Sequence, residues 1–164
     1  MNTLKVEAHG DRQIVITRLF DAPRPLVFDA FTKPYLVRQW LLGPPGWSMP
    51  VCEIDFRVGG RYRYLWRNES GAEMGMGGIY KEILAPERIV ATEKFEQAWY
   101  PGEAVGTVVL TEKAGKTTLT QTILYESRAA RGIVISSPME QGLAASYDRL
   151  EKLAASPEVP SAQK

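Results

Sequence analysis

Between Ser48 and Tyr125 the chain is written as six short runs of strand-type residues, each closed by turn residues. The runs are Ser48–Phe56, Gly60–Arg67, Met74–Ile83, Arg88–Phe95, Thr107–Lys113 and Thr117–Tyr125. "VGG", "NESGAE", "APE", "YPGEAVG" and "KAGK" stand between them. Connections this short join neighbouring strands antiparallel, because a parallel return needs a crossover of a dozen residues or more. A meander of this length has one face to bury, and the rest of the chain must cover it.

The cover is at the C-terminal end. Met139, Leu143, Tyr147, Leu150 and Leu153 recur at helical spacing, a stripe long enough to cross a sheet. Ser137, Pro138 and Glu140 before it have the pattern of a capping box. At the other end, "VEAHGDRQIVITRLF" reads as strand, with Ile14 and Ile16 on one side, Arg18 a candidate for the same side, and Gly10 marking a turn or bulge near its start. "DAPRPLVFDAFT" then changes to helical spacing, and Pro34 restarts the chain in a second short helix, "PYLVRQWLL". The predicted order is strand, two short helices, six strands, long helix. The expected fold is α+β: a curved antiparallel sheet of about 6–7 strands around a long C-terminal helix. Residues 1–155 are expected to form one domain, and 156–164, which lack periodicity, a frayed tail.

Composition excludes several function classes. Among 164 residues the formal net charge is +1, and Lys and Arg are scattered, so no field exists to recruit nucleic acid or an anionic membrane. No apolar run approaches the ~18 residues of a membrane span. The polar N-terminus lacks a signal core, and the lone Cys52 permits no internal disulfide, which fits a reducing compartment and a cytoplasmic location. The one histidine, His9, rules out a multi-histidine metal site and a histidine triad; no metal and no cofactor are expected. "AGKTT" at 114–118 lacks the first glycine of a phosphate loop and lies between strands, so it reads as a hairpin turn. "GMGG" at 75–78 precedes no helix and reads as a flattened strand or as cleared space. Gly142, inside the last helix, reads as close helix–sheet approach or cavity volume.

The candidate site comes from the aromatic corner "WLLGPPGWSMPVCEIDFRVGGRYRYLW". Alternation puts Tyr62, Tyr64 and Trp66 on the concave face and the intervening arginines outside. Trp40 and Trp47 approach from the helix–strand corner, and Met76, Tyr80, Phe95, Met139 and Leu143 complete a predicted ligand-binding wall. Buried tyrosine and tryptophan each keep a polar atom that needs a partner, which suits a pocket with a few polar anchors. Tyr62 and Tyr80 are the candidate hydroxyls. A carboxylate in such a cavity, Glu93 for example, could serve as a base if desolvation raised its pKa.

"RLFDAPRPLVFDAFTKP" with Trp40, "EIDFRVGGRYRY", "GGIYKEILAPERIVATEKF", "GKTTLTQTILY" and "MEQGLAASYDRLEKL" resemble the START-like, birch-pollen-allergen-fold superfamily. More closely they resemble its bacterial homologues of the activator of the 90-kDa heat-shock chaperone ATPase. The combination of Asp55, Arg57, Gly59 and Gly60 with Pro86–Arg88 is the most specific part. The resemblance implies a helix-grip fold with a hydrophobic cavity between sheet and helix. It also implies a range of activities: ligand carriers, aromatic polyketide cyclases and chaperone activators. The eukaryotic activators carry an additional N-terminal domain for which this chain is expected to have no room. The expected function is binding of a small hydrophobic molecule without catalysis, as a monomer or weak homodimer. The alternatives are a cyclase- or hydrolase-type enzyme using polar cavity groups, and a chaperone cofactor acting through its surface in the stress response.

Overall fold

The computed structural model describes residues 2–155. The expected tail at 156–164 lies outside the described residues. Twelve elements follow in order: β1 (Lys5–His9), β2 (Gln13–Phe20), α1 (Arg24–Thr32), α2 (Pro34–Trp40), β3 (Trp47–Ile54), β4 (Arg61–Asn68), β5 (Glu73–Leu84), β6 (Arg88–Phe95), β7 (Ala104–Lys113), β8 (Lys116–Leu124), α3 (Arg128–Ile135) and α4 (Met139–Ala155). They build an α+β structure with one open, curved antiparallel sheet in the order β1-β2-β8-β7-β6-β5-β4-β3, consistent with a helix-grip fold.

The meander β3–β8 follows the sequence pattern, except that β7 begins at Ala104, inside the expected "YPGEAVG" turn. Ala114 and Gly115, at φ 54° and 75°, form the two-residue turn between β7 and β8, with Lys113 paired to Lys116. Both central residues at positive φ match the twist of a hairpin, so "AGKTT" is the turn expected of it. Pro50 sits in β3, an edge strand, where its missing N–H costs no ladder bond.

Three expectations are corrected. The sheet has eight strands, not 6–7, because the first run is a hairpin. Gly10, at φ 59°, reverses the chain, and Lys5–His9 pairs back onto Gln13–Thr17. An extra helix, α3, precedes the last one; Ser127 caps it by accepting from the Ala130 N–H at 3.0 Å. Its "GIVI" segment carries strand-type residues, which hid the helix from a propensity reading. Ser137 belongs to the end of α3: its hydroxyl donates to the Val134 carbonyl.

The core lies between the concave face and the helices. Ile14, Ile16 and Phe20 from β2, Leu119 from β8, Leu110 from β7 and Leu150 from α4 are buried. Arg18 shares that inner face and is 1% exposed. Its guanidinium donates to Asp148 at 2.9 Å and to Glu151, both on α4, and stands over the Phe20 ring at 5.1 Å. A buried guanidinium needs such partners, and these two ion pairs fix α4 against β2.

Candidate functional site

Pairing register fixes the faces. Tyr64 lies opposite Cys52 on β3 and Met76 on β5, Met76 opposite Phe95 on β6, and Tyr80 opposite Ala91. Cross-strand partners share a face, so Tyr62, Tyr64, Trp66, Met76, Tyr80 and Phe95 are all on the concave side. Arg61, Arg63 and Arg67 point outward, where Arg63 pairs with Glu96 and Arg67 with Glu73.

The rings form three groups rather than one. Trp40 stacks on Tyr147 at 5.6 Å and meets Phe31 edge-on at 5.0 Å; its indole N–H donates to the Ala30 carbonyl at 2.8 Å. Tyr62 contacts Tyr64 at 5.0 Å and Tyr80 at 5.4 Å, and Tyr64 contacts Trp66 at 5.9 Å. Phe95 contacts Trp99 and Tyr100, and Tyr100 meets Tyr125 edge-on at 5.3 Å. Met76 bridges the second and third groups through its pairing with Tyr64 and Phe95. Met139 and Leu143, at the start of α4, are half-buried against the core. Trp47 stands at the far end of β3, opposite Asn68. Two further polar ring atoms of the predicted wall are committed: the Tyr62 hydroxyl donates to the Thr92 carbonyl at 2.7 Å and the Trp66 indole to the Leu41 carbonyl at 2.7 Å.

Gly78 explains how Tyr62 reaches so far. It lies opposite Tyr62, and a Cβ there would stand 1.9 Å from the Thr92 carbonyl oxygen. The missing side chain lets strands β5 and β6 close and gives the tyrosine its acceptor. Gly75 and Gly77 fall on the outer face instead. Gly142 approaches the Gly43–Pro44 loop, with its added Cβ 3.2 Å from Pro44, and so serves the α4–loop contact rather than a helix–sheet one.

The group that the wall prediction left out is Glu93. It alternates with Ala91 and Phe95 and lies opposite the fully buried Ala104, so it faces inward. Alternation from Phe95 would have found it. Burial pushes its carboxyl up to about 7, and a hydrogen bond from Tyr100 offsets part of the rise. That bond is long, 3.5 Å, and goes to Oε1. The carboxyl charge acts on the phenols of Tyr62 and Tyr64 (β4), Tyr100, Tyr125 and Tyr147 (α4), and burial raises the pKa of all five. Yet Glu93 is only half-buried. Among the described residues no sealed side-chain oxygen lacks a partner, so Oε2, which makes no hydrogen bond, is not completely sealed. Its surroundings repeat the pattern: Met76, Ala91, Phe95, Gly106, Val108 and Gln121 are inward-facing and half-buried. Gln121 also accepts the Tyr147 hydroxyl at 2.6 Å, which places an amide beside α4.

Cys52 is buried and its thiol is pushed up to about 11 by that burial, so it is not a nucleophile at neutral pH. His9 is exposed on β1. Among the described residues no three His, Cys, Asp or Glu side chains come together as a metal site. No helix among them is long and apolar enough to cross a membrane. A depression of about 600 Å³ on the outer face over Gly77 is lined by Arg61, Arg63, Lys94, Glu53 and Glu96. Its charges are mixed and Arg63 is tied to Glu96, so it offers no convergent set of groups.

Comparison with known proteins agrees with this architecture. A Rhodobacter sphaeroides protein of known structure superposes with a TM-score of 0.87 at 26% identity, covering 93% of this chain and 97% of that one. A Chromobacterium violaceum protein superposes at 0.72 with 28% identity, covering 87% and 96%. A structure described as an HSP90 activator from Plasmodium falciparum superposes at 0.54 with 26% identity, covering 70% and 73%. No curated protein matches the chain. Residues 21–155 match the sequence model of one family, and the chain therefore belongs to the Activator of Hsp90 ATPase homolog 1-like proteins of the START-like superfamily.

Proposed function

We propose that this protein binds a small, flat, largely apolar molecule between the concave face of the sheet and α4. The observation that carries the reading is the half-open inner face around Glu93. In a core packed to ordinary density, inward residues at the middle of a sheet are sealed. Here Met76, Ala91, Phe95, Val108 and Leu143 are not. Trp66, Met76, Phe95, Met139 and Leu143 supply apolar walls, and Tyr62, Tyr64 and Tyr80 a ring floor on which a planar molecule can stack. Trp40, locked against Tyr147, supports the wall from behind. No reaction is assigned, and a monomer suffices for this function.

The test uses Nile red, a neutral apolar dye. Saturable binding near one dye per chain, with quenching of tryptophan emission, is expected. Leu143→Trp should abolish binding while the thermal melt stays cooperative, since the added ring enters the space rather than the sealed core. Absence of saturable binding, or binding that survives Leu143→Trp unchanged, would overturn the reading.

Family membership and the structural likeness to the Plasmodium falciparum activator favour a second reading, chaperone cofactor. An activator working through its surface should stimulate Hsp90 ATPase equally with or without the Leu143→Trp block. No stimulation by either form would remove this reading.

A further inference from the structure

The proposed pocket contains a carboxyl with no cation. Glu93 accepts one long hydrogen bond, from Tyr100, and its charge acts on the phenols of Tyr62, Tyr64, Tyr125 and Tyr147. These phenols belong to β4, to the residue after β8 and to α4. Arg18, on the inner face where its charge acts on Tyr147, is engaged by Asp148 and Glu151. Arg38 and Arg149 reach the Pro50 and Trp40 carbonyls instead. The other carboxylate acting on Tyr62 is Glu103, which adds negative rather than positive potential. Desolvating an anion without a counter-charge is costly, and a fold with no use for charge there would do better with glutamine or leucine. What surrounds the anion is also informative. Ring faces attract cations, and a carboxylate grouped with aromatic rings suits an ammonium group. Oε2, which makes no hydrogen bond and is not completely sealed, has lone pairs left to accept from a ligand N–H.

We infer that the molecule held between sheet and helix carries a protonated amine on its apolar body, and that the Glu93 carboxylate receives that amine with Tyr100 and Tyr125 beside it. This rests on the binding reading above and names its ligand class. The two groups stabilise each other: the ammonium supplies the missing counter-charge, and the bond is charge-assisted in a partly dry site. Because the empty carboxyl holds its proton up to about pH 7, uptake of an amine expels that proton below neutrality and needs no proton release above it. Amine affinity therefore rises between pH 6 and pH 8.

The probes are 2-(1-naphthyl)ethylamine and its neutral isostere 2-(1-naphthyl)ethanol, titrated calorimetrically into the intact protein. At pH 8 the amine is expected to bind at least tenfold tighter than the alcohol, and at pH 6 the advantage should shrink several-fold. Glu93→Gln should leave the alcohol's affinity within twofold and erase the amine's advantage. Tyr100→Phe keeps the carboxyl but removes its donor, so the pH at which the advantage appears should move upward. Binding of the alcohol with no amine preference, or a preference that survives Glu93→Gln in a folded variant, would overturn the inference and leave the binding reading intact. Failure of both probes and of Nile red would overturn both.

Discussion

Glu93 shows how strongly one inward residue can set the behaviour of a site. In the folded chain its carboxyl titrates near 7 instead of 4.5, with burial as the first cause. The folded state therefore holds a proton, between those two values, that the unfolded chain has released. Stability contributed by this residue falls as pH rises from 4.5 to about 7 and then levels off. The shift amounts to on the order of 3 kcal/mol. Glu93→Gln removes the titration, so urea melts should show the variant gaining on the wild type by up to about 3 kcal/mol between pH 5 and pH 8. A wild-type-minus-variant difference that stays flat across that window would mean that Glu93 is solvated. The Cys52 thiol, raised by the same effect, should be unreactive toward iodoacetamide at pH 8 until the protein unfolds.

Between elements, the contact that matters most is polar. α4 docks on α1 and α2 through Trp40 and Tyr147, but its polar tie to the sheet runs through Arg18 on β2. Removing the guanidinium leaves Glu151, 13% exposed, and Asp148, 40% exposed, without their cation. Arg18→Ala should lower unfolding stability by roughly 3 kcal/mol, the low end for a broken buried pair because Asp148 keeps some water. Replacing Asp148 and Glu151 by alanine in that background should restore part of the loss. Arg63→Ala, on the outer face, should leave the melt unchanged by comparison, since its pair with Glu96 is solvent-screened. An Arg18→Ala melt equal to that of Arg63→Ala would show that packing alone seats α4. Leu150, fully buried on the same helix, should tolerate no aspartate, whereas the half-buried Leu143 marks the part of the helix that faces the proposed ligand.

For the molecule as a whole, stability should be independent of metal and dependent on ligand. EDTA is expected to leave the thermal midpoint where it is; a fall of several degrees would reveal a metal with a structural role. A ligand at a hundredfold excess over its Kd adds about 2.7 kcal/mol to a protein that binds it only when folded. At this chain length that is roughly 5–10 °C in the midpoint. The same measurement made with and without Hsp90 separates the two functional readings, because a surface cofactor gains nothing from the small molecule.

The strand pattern of the meander, the apolar stripe of α4 and the inward turn of Tyr62, Tyr64 and Trp66 are all local properties. A period of two, a period of 3.6 and a turn residue can each be read from a few neighbouring positions, so the sequence by itself determined them. The β1–β2 hairpin was missed because "HGDRQ" can continue a strand or reverse it, and the pairing of β2 with β8 across more than 100 residues leaves no local mark. The helix α3 was missed because β-branched residues favour strands until packing overrides them. Arg18 was left as a candidate because a buried arginine is stable only opposite its carboxylates, and these lie on α4, 130 and 133 residues away. Glu93 could be placed by alternation, but its ionisation could not. Desolvation depends on which rings close around a carboxyl, and only the tertiary structure brings Tyr62, Tyr100, Tyr125 and Tyr147 to the same place.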